Sequence, residues 1–165
     1  MSGIQIAGGA NISEDNIEGI QAAGAFNLAK DDLSGLQGSL GANIAMGDIE
    51  GVQLSGLFNL SGNYMSGLMI SGGANVSLKS MEGLMISSLF NLTNNDASGL
   101  FITGGANIAN DDMEGRMISS LFNVAPENTD GLLITGGLNY ARYQNGLMIS
   151  GGANITQEID RKSVV

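Results

Sequence analysis

Apolar and polar positions alternate along this chain in short runs that restart every sixteen residues. Each run opens on a glycine, from Gly3 and Gly19 through Gly131 and Gly146, and an asparagine follows eight positions later. Those asparagines are Asn11, Asn27, Asn43, Asn59, Asn75, Asn91, Asn107, Asn123, Asn139 and Asn154, and only the unit opening at Gly131 is a residue short. A fixed period in this range marks a repeat architecture, in which each unit buries its apolar side against its neighbours.

With the glycine as position 1, position 2 is aliphatic in every unit except one, where Arg116 stands. Position 4 is mostly isoleucine (Ile6, Ile70, Ile86, Ile102), and position 10 is apolar throughout, from Ile12 and Leu28 to Tyr140 and Ile155. This is strand spacing, since side chains two apart share a face of a strand, and the β-branched residues agree with it. On hydropathy, positions 2, 4, 8 and 10 are expected to form one inward face. Positions 11 to 16 (SEDNIE, AKDDLS, ANDDME) carry the Asp, Asn and Ser of turns. One apolar residue within them, at position 15 (Ile17, Leu33, Ile49, Met65, Met81, Met113), is expected to tuck the connection onto the core.

A second order overlies the first. Position 8 reads Ala10, Phe26, Ala42, Phe58, Ala74, Phe90, Ala106, Phe122, so that small and large alternate and the full repeat is 32 residues long. The expected fold is all-β: a parallel β-solenoid of ten 16-residue units in five 32-residue super-repeats, spanning residues 1–156, with a charged tail at 157–165. The asparagines favour it, because identical side chains stacked at about 4.8 Å can pass amide hydrogen bonds from rung to rung. A coil of 16 or of 32 residues fits equally. An antiparallel meander or β-barrel with one strand per unit is the alternative.

Composition narrows the function. The chain has no Cys and no His, which removes the commonest nucleophile, general base and metal ligands. Sixteen acids against six bases give a net charge of −10, a surface that repels nucleic acid and anionic lipid. No enzyme, cofactor or nucleic-acid partner is expected. The N-terminus lacks the basic and apolar regions of a secretory signal.

The repeated glycines suit corners that need positive φ or close backbone approach. Asn11, Asn59, Asn75, Asn91 and Asn154 sit in Asn-x-Ser/Thr sequons, but ladder side chains would be inaccessible to modification. The acidic turns (Glu14, Asp15, Asp31, Asp32, Asp111, Asp112) could line a Ca²⁺ stripe. Because Leu78, Lys79 and Ser80 replace acids in the fifth unit, a solvated acidic edge is the reading preferred. At position 3, Gln5, Gln21, Gln37 and Gln53 give way to Met69, Met85, Phe101, Met117, Leu133 and Met148. Alternation away from the apolar face points this row outward, as a candidate interface beside the small residues of position 5; the alternative is that the strip is covered within the same chain, as the second inner face of a wide coil.

The N-terminal repeats GIQIAGGANIS, GIQAAGAFNLA and GVQLSGLFNLS resemble the Gly-x-Gln-x-x-Gly-x-x-Asn repeats of bacterial surface-repeat lipoproteins and related uncharacterised proteins. The resemblance covers most of the chain and implies a bacterial cell surface, without an activity. The expected function is a non-enzymatic structural or interaction protein that assembles into a homo-oligomer or filament. A membrane-spanning β-barrel or pore, with ten-residue strands facing lipid, and a surface adhesin are the alternatives. Three Tyr and no Trp leave no aromatic girdle for the pore.

Overall fold

A computed structural model describes residues 2–159. Within that span the chain winds into a parallel β-solenoid of ten coils, coil 1 opening at Gly3 and coil 10 at Gly146. Every strand pairing is parallel and joins a residue to its equivalent one unit on: Gly83 to Gly99, Asn91 to Asn107. A coil is therefore sixteen residues long, and the 32-residue period is an alternation between successive coils. Parallel pairing of every strand rules out the meander and the barrel, and with the barrel goes the membrane-spanning alternative.

Each regular coil has a long strand and a short one, such as Met81–Ser87 and Phe90–Thr93 in and around coil 6. The long strand runs from position 15 of one unit to position 5 of the next, and the short strand takes positions 8 to 11. Positions 6 and 7 form a tight corner, and the polar positions 12 to 14 turn the chain back on the opposite edge. The fifteen-residue coil loses its residue in that turn: Arg142 stands opposite Pro126 and Glu127, and Gly146 pairs in register with Gly131. The last strand runs Ala153–Ile159, so it continues past the expected domain boundary; residues 160–165 of the charged tail lie outside the described residues.

The faces are the reverse of the hydropathy reading. Positions 3, 5, 9, 11 and 15 point inward, while 2, 4, 8 and 10 point out. Met69, Met85, Phe101, Met117 and Leu133, expected as an exposed interface, are at most 1% exposed, and Met148 is half-buried against the same cluster. They pack with the position-15 residues Ile17, Leu33, Ile49, Met65, Met81 and Met113 against small Ala29, Ala45, Ala109, Ala125 and Ala141 on the short strands. The core is thus two rows of large side chains from the long strands, packed against small residues of the short strands. The tucked position 15 is as expected. Phe58, Phe90 and Phe122 lie outside, 36–38% exposed, beside Ala74 and Ala106, which are buried.

The glycine column is fixed by contact. Gly99 has φ of +117°, and a Cβ there would stand 2.2 Å from the carbonyl oxygen of Gly83. A side chain would be strained and would collide with the coil below.

Candidate functional site

The interior holds two amide ladders. In the first, each asparagine Nδ2 donates to the Oδ1 of the next coil's asparagine, as Asn75 to Asn91 at 2.9 Å and Asn91 to Asn107 at 2.9 Å. The chain of bonds runs unbroken from Asn11 to Asn154. The remaining amide hydrogen reaches backbone carbonyls, as Asn75 to Ile86 at 3.0 Å and to Met69 at 3.3 Å. Buried amides satisfied in this way tie the two strands of a coil to each other and each coil to the next.

Sequence reasoning missed the second ladder. Gln21, Gln37 and Gln53 are inside, and their Nε2 atoms donate to the Oε1 of Gln5, Gln21 and Gln37 at 2.5–2.8 Å. Its polarity is opposite to that of the asparagines. At coil 5 methionine replaces glutamine, and Gln53 Oε1 is left buried without a partner. The outward assignment of position 3 hid this ladder, although four glutamines at one repeat position were its signal.

The sequon asparagines Asn59, Asn75 and Asn91 are buried and committed to the ladder, and Asn11 is nearly so. Asn154 is exposed, so inaccessibility does not hold at the last coil. The turn acids brace the backbone of the next coil. Asp32 Oδ1 accepts the backbone N–H of Asp48 at 2.8 Å, and Asp112 Oδ1 accepts that of Asn128 at 3.0 Å. Among the described residues, no group of three or more Asp or Glu is placed to hold a metal.

The outer surface is divided in two. Among the described residues, every charged side chain except Arg116 falls at positions 12 to 16, on the turn edge. An apolar arc covers the rest of the circumference, from position 2 on the long strand, round the corner, to position 10 on the short strand. Its exposed members include Leu36, Leu54, Leu57, Leu89, Leu121 and the phenylalanines of position 8, Phe26, Phe58, Phe90 and Phe122. A shallow apolar depression interrupts the position-4 row where Ala22 and Gly38 replace isoleucine, beside the protruding Leu40. Polar amides inside and aliphatic side chains outside make the arc, and not a pocket, the candidate functional site.

Compared with family models, curated proteins and solved structures, the chain has no match.

Proposed function

We propose that this protein is a structural element that assembles with further copies of itself through the apolar arc. The carrying observation is the separation of surface chemistry: nearly all the charge lies on one edge, and the arc opposite exposes Leu, Ile and Phe along the length of the solenoid. Apolar patches beyond a few hundred Å² are rare on monomers and mark interaction surfaces. A non-catalytic role is supported by the committed interior, where the buried asparagine amides are spent on the ladder. The resemblance to bacterial surface-repeat proteins supports a place at a cell surface for such an element.

Light scattering tests this across a range of concentration and salt. A mass above the 16.9 kDa monomer is expected, and moderate salt should raise it by screening the net charge of −10. A monomer at every concentration and salt would overturn the reading. If that monomer floated with neutral lipid vesicles, the arc would be a lipid-binding surface instead.

A further inference from the structure

The corner at positions 6 and 7 is filled in some coils by leucine and in others by glycine. Four coils place a leucine there: Leu40 in coil 3, Leu57 in coil 4, Leu89 in coil 6 and Leu121 in coil 8, all 59–79% exposed. Five others, coils 1, 5, 7, 9 and 10, place two glycines there, as Gly72 and Gly73 in coil 5. A Cβ would stand 2.4 Å from the Leu57 carbonyl oxygen at Gly73 and 2.0 Å from the Leu89 carbonyl oxygen at Gly105, so close stacking holds glycine in these coils while their neighbours carry Leu, Ser or Ala. From coil 4 to coil 9 leucine and glycine follow the alternation of the 32-residue repeat, and with Leu40 in coil 3 and the glycines of coil 10 the arrangement is symmetric about the junction of coils 6 and 7. Every leucine coil has a glycine coil at the same distance across it: 6 with 7, 8 with 5, 4 with 9, and 3 with 10.

We propose that a second copy of this chain docks on the corner with its axis antiparallel, about a two-fold axis passing between coils 6 and 7. The inference rests on the assembly reading above and specifies its geometry. Such an axis lays position 6 over position 6 and position 7 over position 7 of the partner, and an isologous contact needs a patch complementary to itself. Leu89 then enters the trough at Gly105, Leu57 that at Gly137, and Leu121 that at Gly73. Leu40, the one leucine at position 6, meets Gly151, also at position 6. The two serines follow the same rule, Ser88 over Gly104 and Ser120 over Gly72. No side chain at either corner position meets anything but glycine.

A parallel, in-register pair would set leucine coils against leucine coils and leave the glycine coils facing each other across gaps. A parallel pair offset by one coil would set Leu57 against the coil that carries Leu40. Only the antiparallel arrangement uses every corner from coil 3 to coil 10; those of coils 1 and 2 meet no coil of the partner. At about 4.8 Å per coil, eight coils span about 40 Å. With a width of about 15–20 Å, each partner would bury roughly 600–800 Å², near the ~800 Å² of a standard interface. The acidic edges lie on the far sides of both copies, so their repulsion is least in this pose.

The chain has no cysteine, so single engineered thiols report the geometry. Leu89→Cys sits one coil, about 5 Å along the axis, from its twin, within reach of oxidation or a short bis-maleimide. Leu57→Cys sits five coils, about 24 Å, from its twin, but one coil from Leu121→Cys of the partner. The expected result is a strong covalent dimer from Leu89→Cys, almost none from Leu57→Cys alone, and recovery when Leu57→Cys and Leu121→Cys proteins are mixed. Leu57→Cys cross-linking to itself as fully as Leu89→Cys would replace this packing with a parallel one. Light scattering on the same samples separates the two claims. An oligomer in which Leu89→Cys fails to cross-link removes the antiparallel packing and leaves assembly standing, whereas a monomer removes both.

Discussion

At the scale of single residues, the two ladders differ in how they end. Asparagine donors point toward the C-terminal coils and glutamine donors toward the N-terminal ones. The glutamine ladder therefore finishes inside the protein on an acceptor, Gln53 Oε1, next to Met69. An unpaired buried acceptor is the less costly orphan, since donors go unpaired more rarely. Asn75→Ala should remove two ladder bonds at once and strand Asn91 Oδ1, at about 1–3 kcal/mol for each unsatisfied group. Thermal unfolding checks this against exposed Asn95→Ala, and equal shifts in the two would mean that the ladder contributes nothing. Replacing Gln5, Gln21, Gln37 and Gln53 together by Met, the residue of most later coils, should be neutral or stabilising, because it removes the orphan along with its partners. Gln53→Met alone should only move the orphan to Gln37. A large loss in the fourfold variant would show that amide bonding, and not packing, holds the first coils. The asparagine ladder was legible because one residue type recurs without exception at one position. The glutamine ladder stops at the fourth coil and reads as surface variation.

At the scale of the strand, the sequence contained a conflict that geometry resolves. Alternation that puts Asn75 inside must put Ala74 and Val76 outside. The expectation above placed all three inward, weighting hydropathy over the pleat. A period of two has two solutions, and burying apolar residues normally chooses between them. Here the backbone chose: only positions 9 and 3 can stack amides and wedge methionines between the sheets, so the aliphatic rows were left outside. Strand existence, the turns and the tucked position 15 were all readable, because none of them depends on which face is buried. Glycine substitutions test the strand geometry in graded form. Gly38 has no atom within 4 Å of a would-be Cβ and no positive φ, so Gly38→Ala should stabilise by about 0.4–1 kcal/mol through the unfolded chain. Gly3 has φ of +126° with open space around it, so Gly3→Ala should cost only backbone strain, about 1–3 kcal/mol. Gly99→Ala adds a collision with the Gly83 carbonyl and should cost more than either. Denaturant midpoints should fall in that order, and a Gly99→Ala variant as stable as Gly38→Ala would contradict the close stacking.

For the whole molecule, the repeat separates what folds the chain from what would pair it. Each coil touches only its neighbours, so stability is close to a sum over coils and interfaces, and whole coils can be removed without breaking register. The arc was hard to read from sequence because it exists only once the faces are known, and the corner pattern because its pairing shows only when the alternation is folded back about the junction of coils 6 and 7. Deleting residues 67–98 removes coils 5 and 6, brings Phe58 beside Ala106 and leaves coils 3, 4, 7, 8, 9 and 10 of the paired set, with coils 1 and 2 ahead of them. Leucine and glycine coils still correspond about the new centre, between coils 7 and 8. Deleting residues 99–114 removes coil 7 alone and leaves the asparagine ladder continuous from Asn91 to Asn123. Seven coils from 3 to 10 remain, and any odd number forces the central coil to face its own copy, here Leu89 against Leu89. Both shortened chains should therefore fold, with parallel-sheet circular dichroism and reduced unfolding midpoints. The two-coil deletion should still dimerise, more weakly over its shorter contact, while the one-coil deletion should be monomeric although it retains more of the arc. Light scattering at matched concentration decides. If the one-coil deletion associates as well as the intact chain, the arc is a generic apolar surface, and the order of leucine and glycine at the corner has no part in assembly.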